Sequence, residues 1–251
     1  MFVPPPLKLA RPSQFDIQYS IRVVQNPIRA RCCGFGEKDR RPIDPPPILE
    51  LIATDSHGNR IELKPEDSIL FLAQCELYGA DRCENRTIVY TPWSSMTPSF
   101  LEDGVHKHGK PEYVRNLIGS TVSNAYHLYN QSDQPGTYFI FHDLSVRTEG
   151  TFTLKFVFVN LAAGEPITMT TQIQHEAFSS TFSVYPAKKF PGLTESTALS
   201  RCFSKQGIKI PIRNESPYKR ISNAFCPPEV EPEKPKTKFT RLPIADFLSP
   251  E

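Results

Sequence analysis

From position 15 the chain alternates, with Phe15, Ile17, Tyr19, Ile21 and Val23 separated by polar or small residues. A period of two puts successive side chains on opposite faces of an extended chain, so the stretch predicts a strand with one buried face. Asn26-Pro27 ends it. Ile48 to Ala53 predicts a second strand, and the turn residues Ser56-His57-Gly58-Asn59 lead to Ile61 and Leu63. Ile69 to Leu77 reads as a buried strand with Leu70, Leu72 and Cys75 inside. Ile88 to Tyr90 is a short strand leading to Trp93, and residues 94–116, rich in Ser, Pro, Gly and charge, read as a loop. Leu117 to Tyr129 is strand-like from Gly119, and Gln134-Pro135-Gly136 is a turn before the alternating Tyr138, Ile140 and His142.

The clearest central strand is Thr151 to Leu161, entered through the turn Glu149-Gly150. It carries Phe152, Leu154, Phe156 and Phe158 on one face and Val157 and Val159 on the other. The aromatic positions, together with Tyr138, read as core. Phe178 to Tyr185 predicts another strand, and a helix follows from about Thr194 to Gln206 with Leu199, Cys202 and Phe203 inward. Gly207 suits the position after a helix C-cap, and Ile208, Ile210 and Ile212 predict a closing edge strand. Many short strands with frequent turns and one late helix predict an all-β sandwich with one or two short helices.

Composition adds the ends. The 251 residues include 25 prolines, about twice the ordinary share. Residues 1–14 are a Pro-rich lead, 15–213 the folded domain, and 214–251 a tail mixing Pro with Glu and Lys that reads as disordered. In that tail Phe239 to Leu248 regains apolar residues, as a docking segment or a solvated end. Lys234, Lys236 and Lys238 form a thin nuclear-import candidate.

Charge singles out one place. The net charge of +2 excludes a polycation, so any nucleic-acid contact has to come from a patch. Between Arg29 and Arg41 five positive residues (Arg29, Arg31, Lys38, Arg40, Arg41) meet two negative ones, Glu37 and Asp39, a local balance of +3. Gly34 and Gly36 precede the charges, and Pro42 and Pro45-Pro46-Pro47 follow them. A free turn, a charged tip and a stiff exit describe a loop held in one shape. Such a loop suits phosphates, which arginine binds in a bidentate fork. The bland alternative is a solvated loop. Arg29 and Arg31 sit two positions apart and point to one side, Arg31 as a phosphate contact or a structural ion-pair partner. Lys188-Lys189 is a second basic pair able to extend the surface.

Other chemistry is thin. The six cysteines form no C-x-x-C pair, no secretory signal or membrane-length apolar run is visible, and the thiols read as reduced in a cytosolic or nuclear protein. Cys32-Cys33 lies among arginines that would lower a thiol pKa, although a boundary position explains the pair as well. His106 and His108 lack a third metal-ligating partner, and the sequons at Asn85, Asn130 and Asn214 read as chance. There is no G-x-S-x-G, H-E-x-x-H or Walker loop. The expectation is no enzyme, no cofactor, no metal, no small-molecule substrate and no membrane.

The segment from Tyr19 through Pro47 resembles the opening signature of the velvet family of fungal regulators. Asp143 to Gly150 (DLSVRTEG) and Phe182 to Gly192 (FSVYPAKKFPG) resemble its closing signatures, continued by Glu195-Ser196-Thr197 and Leu199-Ser200-Arg201. The likeness spans roughly residues 15–213, and it leans towards the spore-viability branch or its close relatives. It implies an immunoglobulin-like sandwich of the Rel type, whose end loops grip double-stranded DNA. It also implies homodimers or heterodimers with other velvet proteins, a nuclear location, and control of sporulation, development and secondary metabolism. By matching positions, Lys38, Arg40 and Arg41 would contact DNA. The chain departs from some DNA-binding members at Gly36, where they carry a basic residue. The alternative is an adaptor whose partner does the DNA reading.

Overall fold

The computed structural model describes residues 17–36, 40–91, 113–163 and 171–213. Expectations placed on Phe15, Lys38, Trp93, His106, His108, the lead 1–14 and the tail 214–251 lie outside these residues.

The first sheet has the order β1 (Gln18–Gln25), β3 (Ile48–Thr54), β11 (Pro135–Ile140), β10 (Tyr126–Tyr129), with β4 (Arg60–Ile61) returning onto β3. The second has the order β2 (Arg29–Arg31), β15 (Phe182–Tyr185), β13 (Gly150–Asn160), β5 (Phe71–Gly79), β9 (Val122–Asn124), with β14 (Ile173–Phe178) also on β13. Two short ribbons complete the strands: β12 (Leu144–Val146) with β8 (Leu117–Gly119), and β6 (Ile88–Tyr90) with β7 (Tyr113–Arg115). The only α-helix among the described residues is α1 (Ala198–Lys205).

The two sheets meet through aromatic residues. Phe71 and Phe158 sit edge-to-face at 5.4 Å, Tyr19 closes on both, Phe139 lies against Phe158, and Phe141 lies 5.2 Å from Phe156. All five phenylalanines are buried, each burial stabilising by roughly 1.5–3 kcal/mol. The chain is therefore the all-β sandwich its pattern predicts.

On β11 both faces are covered. Phe139 and Phe141 enter the sandwich core, while Tyr138 and Ile140 join Ile48, Leu128, Phe203 and Ile210 in a second core under the helix. Thr197 caps α1 by accepting a hydrogen bond from the Ser200 amide, and Gly207 ends it at φ +94°.

Several boundaries differ from the sequence reading. On β5 the buried set is Phe71, Ala73, Cys75 and Leu77, while Ile69 and Leu70 are exposed, so the inward face begins one residue later than Leu70 implied. Leu117 to Tyr129 is broken into β8, β9 and β10: Gly119 (φ +107°) turns the chain after β8, and Ala125, whose amide donates to the Phe71 carbonyl, separates β9 from β10. The supposed loop 94–116 ends in β7. Phe178–Tyr185 divides into β14 and β15 around Ser179, whose hydroxyl accepts the Leu154 amide. The turn before β11 is Asn130 to Gln134, and β11 starts at Pro135. Ile208 to Ile212 forms no strand; Ile210 is buried under the helix instead.

Candidate nucleic-acid interface

Strand register decides what stands beside the basic loop. β2 and β15 run parallel, pairing Arg29 with Ser183 and Arg31 with Tyr185, so the chain leaves both strands at the same end. One exit is the basic loop; the other is the exposed turn Ala187–Lys189. β13 starts at this end too, since Gly150 pairs with Val184 and Phe152 with Gly79. Residues 147–149 and 80–87 therefore join the same end of the sandwich. Ala30 is fully buried, and Arg29 and Arg31 on either side of it are half-buried on the opposite face. Arg31, Lys188 and Lys189 therefore lie at the same sandwich end as the described part of the loop.

The loop is sewn down mainly by β12. At its entry the Cys32 amide donates to the Tyr185 carbonyl, Cys33 to Val146 and Gly34 to Arg147. Gly34 sits at φ +64°, which a glycine adopts without steric cost. At its exit the Ile43 amide donates to Leu144, and the Ser145 hydroxyl donates to the Arg41 carbonyl at 2.9 Å. The prolines help, since Pro45 to Pro47 are buried and the Pro46 carbonyl accepts from Gln25 at 2.7 Å. Strand β12 belongs to DLSVRTEG, so the fold brings the two family signatures together.

Arg147, which sequence reasoning did not single out, closes the entry. Its Nη1 donates to the Gly34 carbonyl at 2.9 Å and its Nε to the Arg115 carbonyl at 2.9 Å, with the guanidinium 5.9 Å from the Phe35 ring. Buried Asn116 adds a second knot, giving its Nδ2 to the Arg86 carbonyl and to Thr148 and accepting the Thr148 amide. The signal that could have found Arg147 was the signature DLSVRTEG that contains it; Asn116 lies outside every such stretch, and no signal in the sequence marked it.

Arg40 closes the exit. Its Nη2 donates to both the Oδ1 and the main-chain carbonyl of Asp143, at 2.7 and 2.6 Å, and its Nε reaches Ser145 at 3.3 Å. A carboxylate of the chain itself thus holds the guanidinium expected to contact DNA. The side chain keeps 35% of its surface exposed, and Nη1 bonds to no described residue. An ion pair at that exposure is worth about 0–1 kcal/mol, so a phosphate could share or replace Asp143. Arg41 is exposed beside it.

Burial raises the Cys33 thiol pKa and outweighs the opposing pull of Arg147. With its Sγ donating to the Val146 carbonyl, Cys33 is a boundary cysteine. Among the described residues no three His, Cys, Asp or Glu side chains gather as a metal site, and no helix is long and apolar enough to cross a membrane.

Fold and site together define an all-β sandwich with one cationic end, its basic loop stitched to a neighbouring strand. The family model described as "Velvet factor" matches residues 19–108 and 90–216. The chain is 31% identical to a velvet complex subunit of Aspergillus flavus, and 32% identical to one of Emericella nidulans. Each match covers 78% of this chain and 78% of the relative. A velvet complex subunit of Gibberella moniliformis is 32% identical over 80% of this chain and 62% of its own length. The chain belongs to the velvet family.

Proposed function

We propose that the protein is a sequence-specific, duplex-DNA-binding transcription regulator that acts in the nucleus as a velvet homodimer or heterodimer. The observation that carries the reading is the clustering of Arg31, Arg40, Arg41, Lys188 and Lys189 at one sandwich end, around a loop whose entry and exit are fixed by main-chain hydrogen bonds. A surface held in shape before binding loses little entropy when it meets a rigid duplex. Lys38, in the same basic stretch of the sequence, belongs to the contact set on this reading, with Arg29 at its edge. Arg40 serves first as the clasp and second as a phosphate contact. The regulated processes, by family likeness, are sporulation, development and secondary metabolism.

The test is binding to a duplex selected from a random library by the purified chain. Arg41→Ala and Lys38→Ala are each expected to cost about 1–3 kcal/mol where a base edge is read. They should also lower the slope of log affinity against log salt by roughly 0.9 for each phosphate no longer neutralised. If the double variant retards the duplex as wild type does, the loop is not the interface.

A second reading has the engagement of Arg40 by Asp143 in its favour, together with the relatives' names as members of a complex. Here the protein is an adaptor that dimerises with another velvet protein, and the partner reads DNA. Retention on DNA only in the mixed complex, and never by the chain alone, would select it.

A further inference from the structure

The ribbon of β6 and β7 belongs to neither large sheet, and its foot is bonded to the cationic end through Arg147. Cross-strand partners share a face, and the register pairs Ile88 with Arg115 and Tyr90 with Tyr113. All four of these side chains therefore lie on one face, with Val89 and Val114 on the other. The first face is open: Ile88 is 57% exposed, Tyr90 53% and Tyr113 68%, and Arg115 is exposed as well. The two tyrosine rings stack at 4.1 Å with their hydroxyls hydrogen-bonded to each other. None of the six strand residues is acidic.

The foot of this ribbon is bound to the basic loop. Arg147 places one guanidinium between the carbonyl of Arg115, the last residue of β7, and the carbonyl of Gly34. Asn116, the next residue, accepts the Arg147 amide on its carbonyl and donates its own amide to the Thr87 carbonyl. Ribbon and loop are thus held in one spatial register by the Arg147 side chain and by the main chain of Asn116.

We propose that the Ile88–Tyr90 and Tyr113–Arg115 ribbon is a second duplex-DNA-contacting element, acting alongside the basic loop. The inference rests on the DNA-binding reading of that loop. A DNA major groove is wide enough to admit a two-stranded ribbon. The exposed face offers what such a site requires: a guanidinium for a phosphate, the one phenol proton that the tyrosine pair leaves free as a further donor, and apolar surface for sugars or a thymine methyl. Continuity with the cationic loop and the absence of acidic residues favour a nucleic acid over a protein as the occupant.

The probes are the selected duplex and a scrambled duplex of equal length. The variants are Arg115→Gln, Tyr113→Ser and, as comparator, Arg41→Ala. Thermal melting checks folding, and the conservative Arg115→Lys and Tyr113→Phe replace any variant that melts early. Arg115→Gln is expected to weaken binding to both duplexes about 5- to 10-fold and to lower the salt slope by roughly 0.9. Tyr113→Ser is expected to weaken binding by a similar factor with the slope unchanged, because it removes no charge. If Arg41→Ala loses binding while both ribbon variants bind as wild type, the ribbon proposal fails and the loop reading stands. If Arg41→Ala also binds as wild type, the loop reading itself fails. Ribbon variants that keep DNA affinity but sediment as smaller species than wild type would overturn the proposal in favour of a protein-binding face.

Discussion

Replacing Arg147 with alanine removes the guanidinium that joins the loop entry to the foot of β7. Two hydrogen bonds go, both at 2.9 Å, one to the half-buried Gly34 carbonyl and one to the more exposed Arg115 carbonyl. Bonds from a charged donor are worth about 1.5–3 kcal/mol when buried. The Arg115 carbonyl is open enough for water to replace its partner, so it contributes at the low end, about 0.5–1 kcal/mol. The cation lying over Phe35 adds about 0.5 kcal/mol. With the half-buried Gly34 bond taken at the low end, about 1.5 kcal/mol, the sum is roughly 2.5–3 kcal/mol, while the main-chain bonds of Cys33 and Gly34 to β12 survive. In urea, where a domain of this size unfolds with a slope of about 2–3 kcal/mol/M, the midpoint should fall by roughly 1 M. Arg147→Lys keeps the charge but has no planar fork to span two carbonyls, and should recover less than half of the loss. Amide exchange at Gly34 should quicken in both variants. An alanine variant whose midpoint moves by less than about 0.2 M would show that the guanidinium contributes nothing there, and a lysine variant equal to wild type would show that the charge, not the fork, is what matters.

Two further outcomes follow from other parts of the fold. Glu50 is buried on β3, and its two oxygens accept from Arg22 and Arg60 at 2.6 Å each. Burial alone would raise its carboxyl pKa, but the two guanidinium groups outweigh it and hold the pKa below the ordinary glutamate value. A lowered acid contributes stability above its unfolded pKa of about 4.3, and that stability is lost as pH falls through the lower folded value. Glu50→Gln should therefore cost about 1–3 kcal/mol at pH 7, with the gap from wild type closing in acid; equal gaps at neutral and acid pH in urea melts would contradict this. Gly119→Ala would drive its methyl into the Asp143 carbonyl oxygen and against Arg40 Nη2, at φ +107°. It should destabilise by more than about 2 kcal/mol and lower DNA affinity through the displaced clasp, so a fully stable variant would remove the clasp from the account.

The sandwich was legible in the sequence because period-two alternation is a local property, and burial rewards it wherever the chain is extended. β13 shows this best: Phe152 to Phe158 carry the pattern without interruption, and both its faces are covered as read. The phase of β5 was harder, because Ile69 and Leu70 are apolar and yet exposed, and one apolar residue beyond a strand end cannot announce which way it points. The splitting of Leu117 to Tyr129 turned on a positive φ at Gly119, which composition permits but does not require.

The cationic loop was equally legible, since charge, glycine and proline are all written along the chain. What the sequence by itself determined, then, is a β-rich core and one localised excess of positive charge. Only the tertiary structure decided how that charge is used. Parallel pairing of β2 with β15 brings Lys188 and Lys189 to the loop's end of the sandwich, Asp143 takes hold of Arg40, and Arg147 reaches Gly34 across 113 positions of sequence and ties it to the ribbon. Such contacts depend on which chain ends the register places side by side, and no local pattern of residues encodes that.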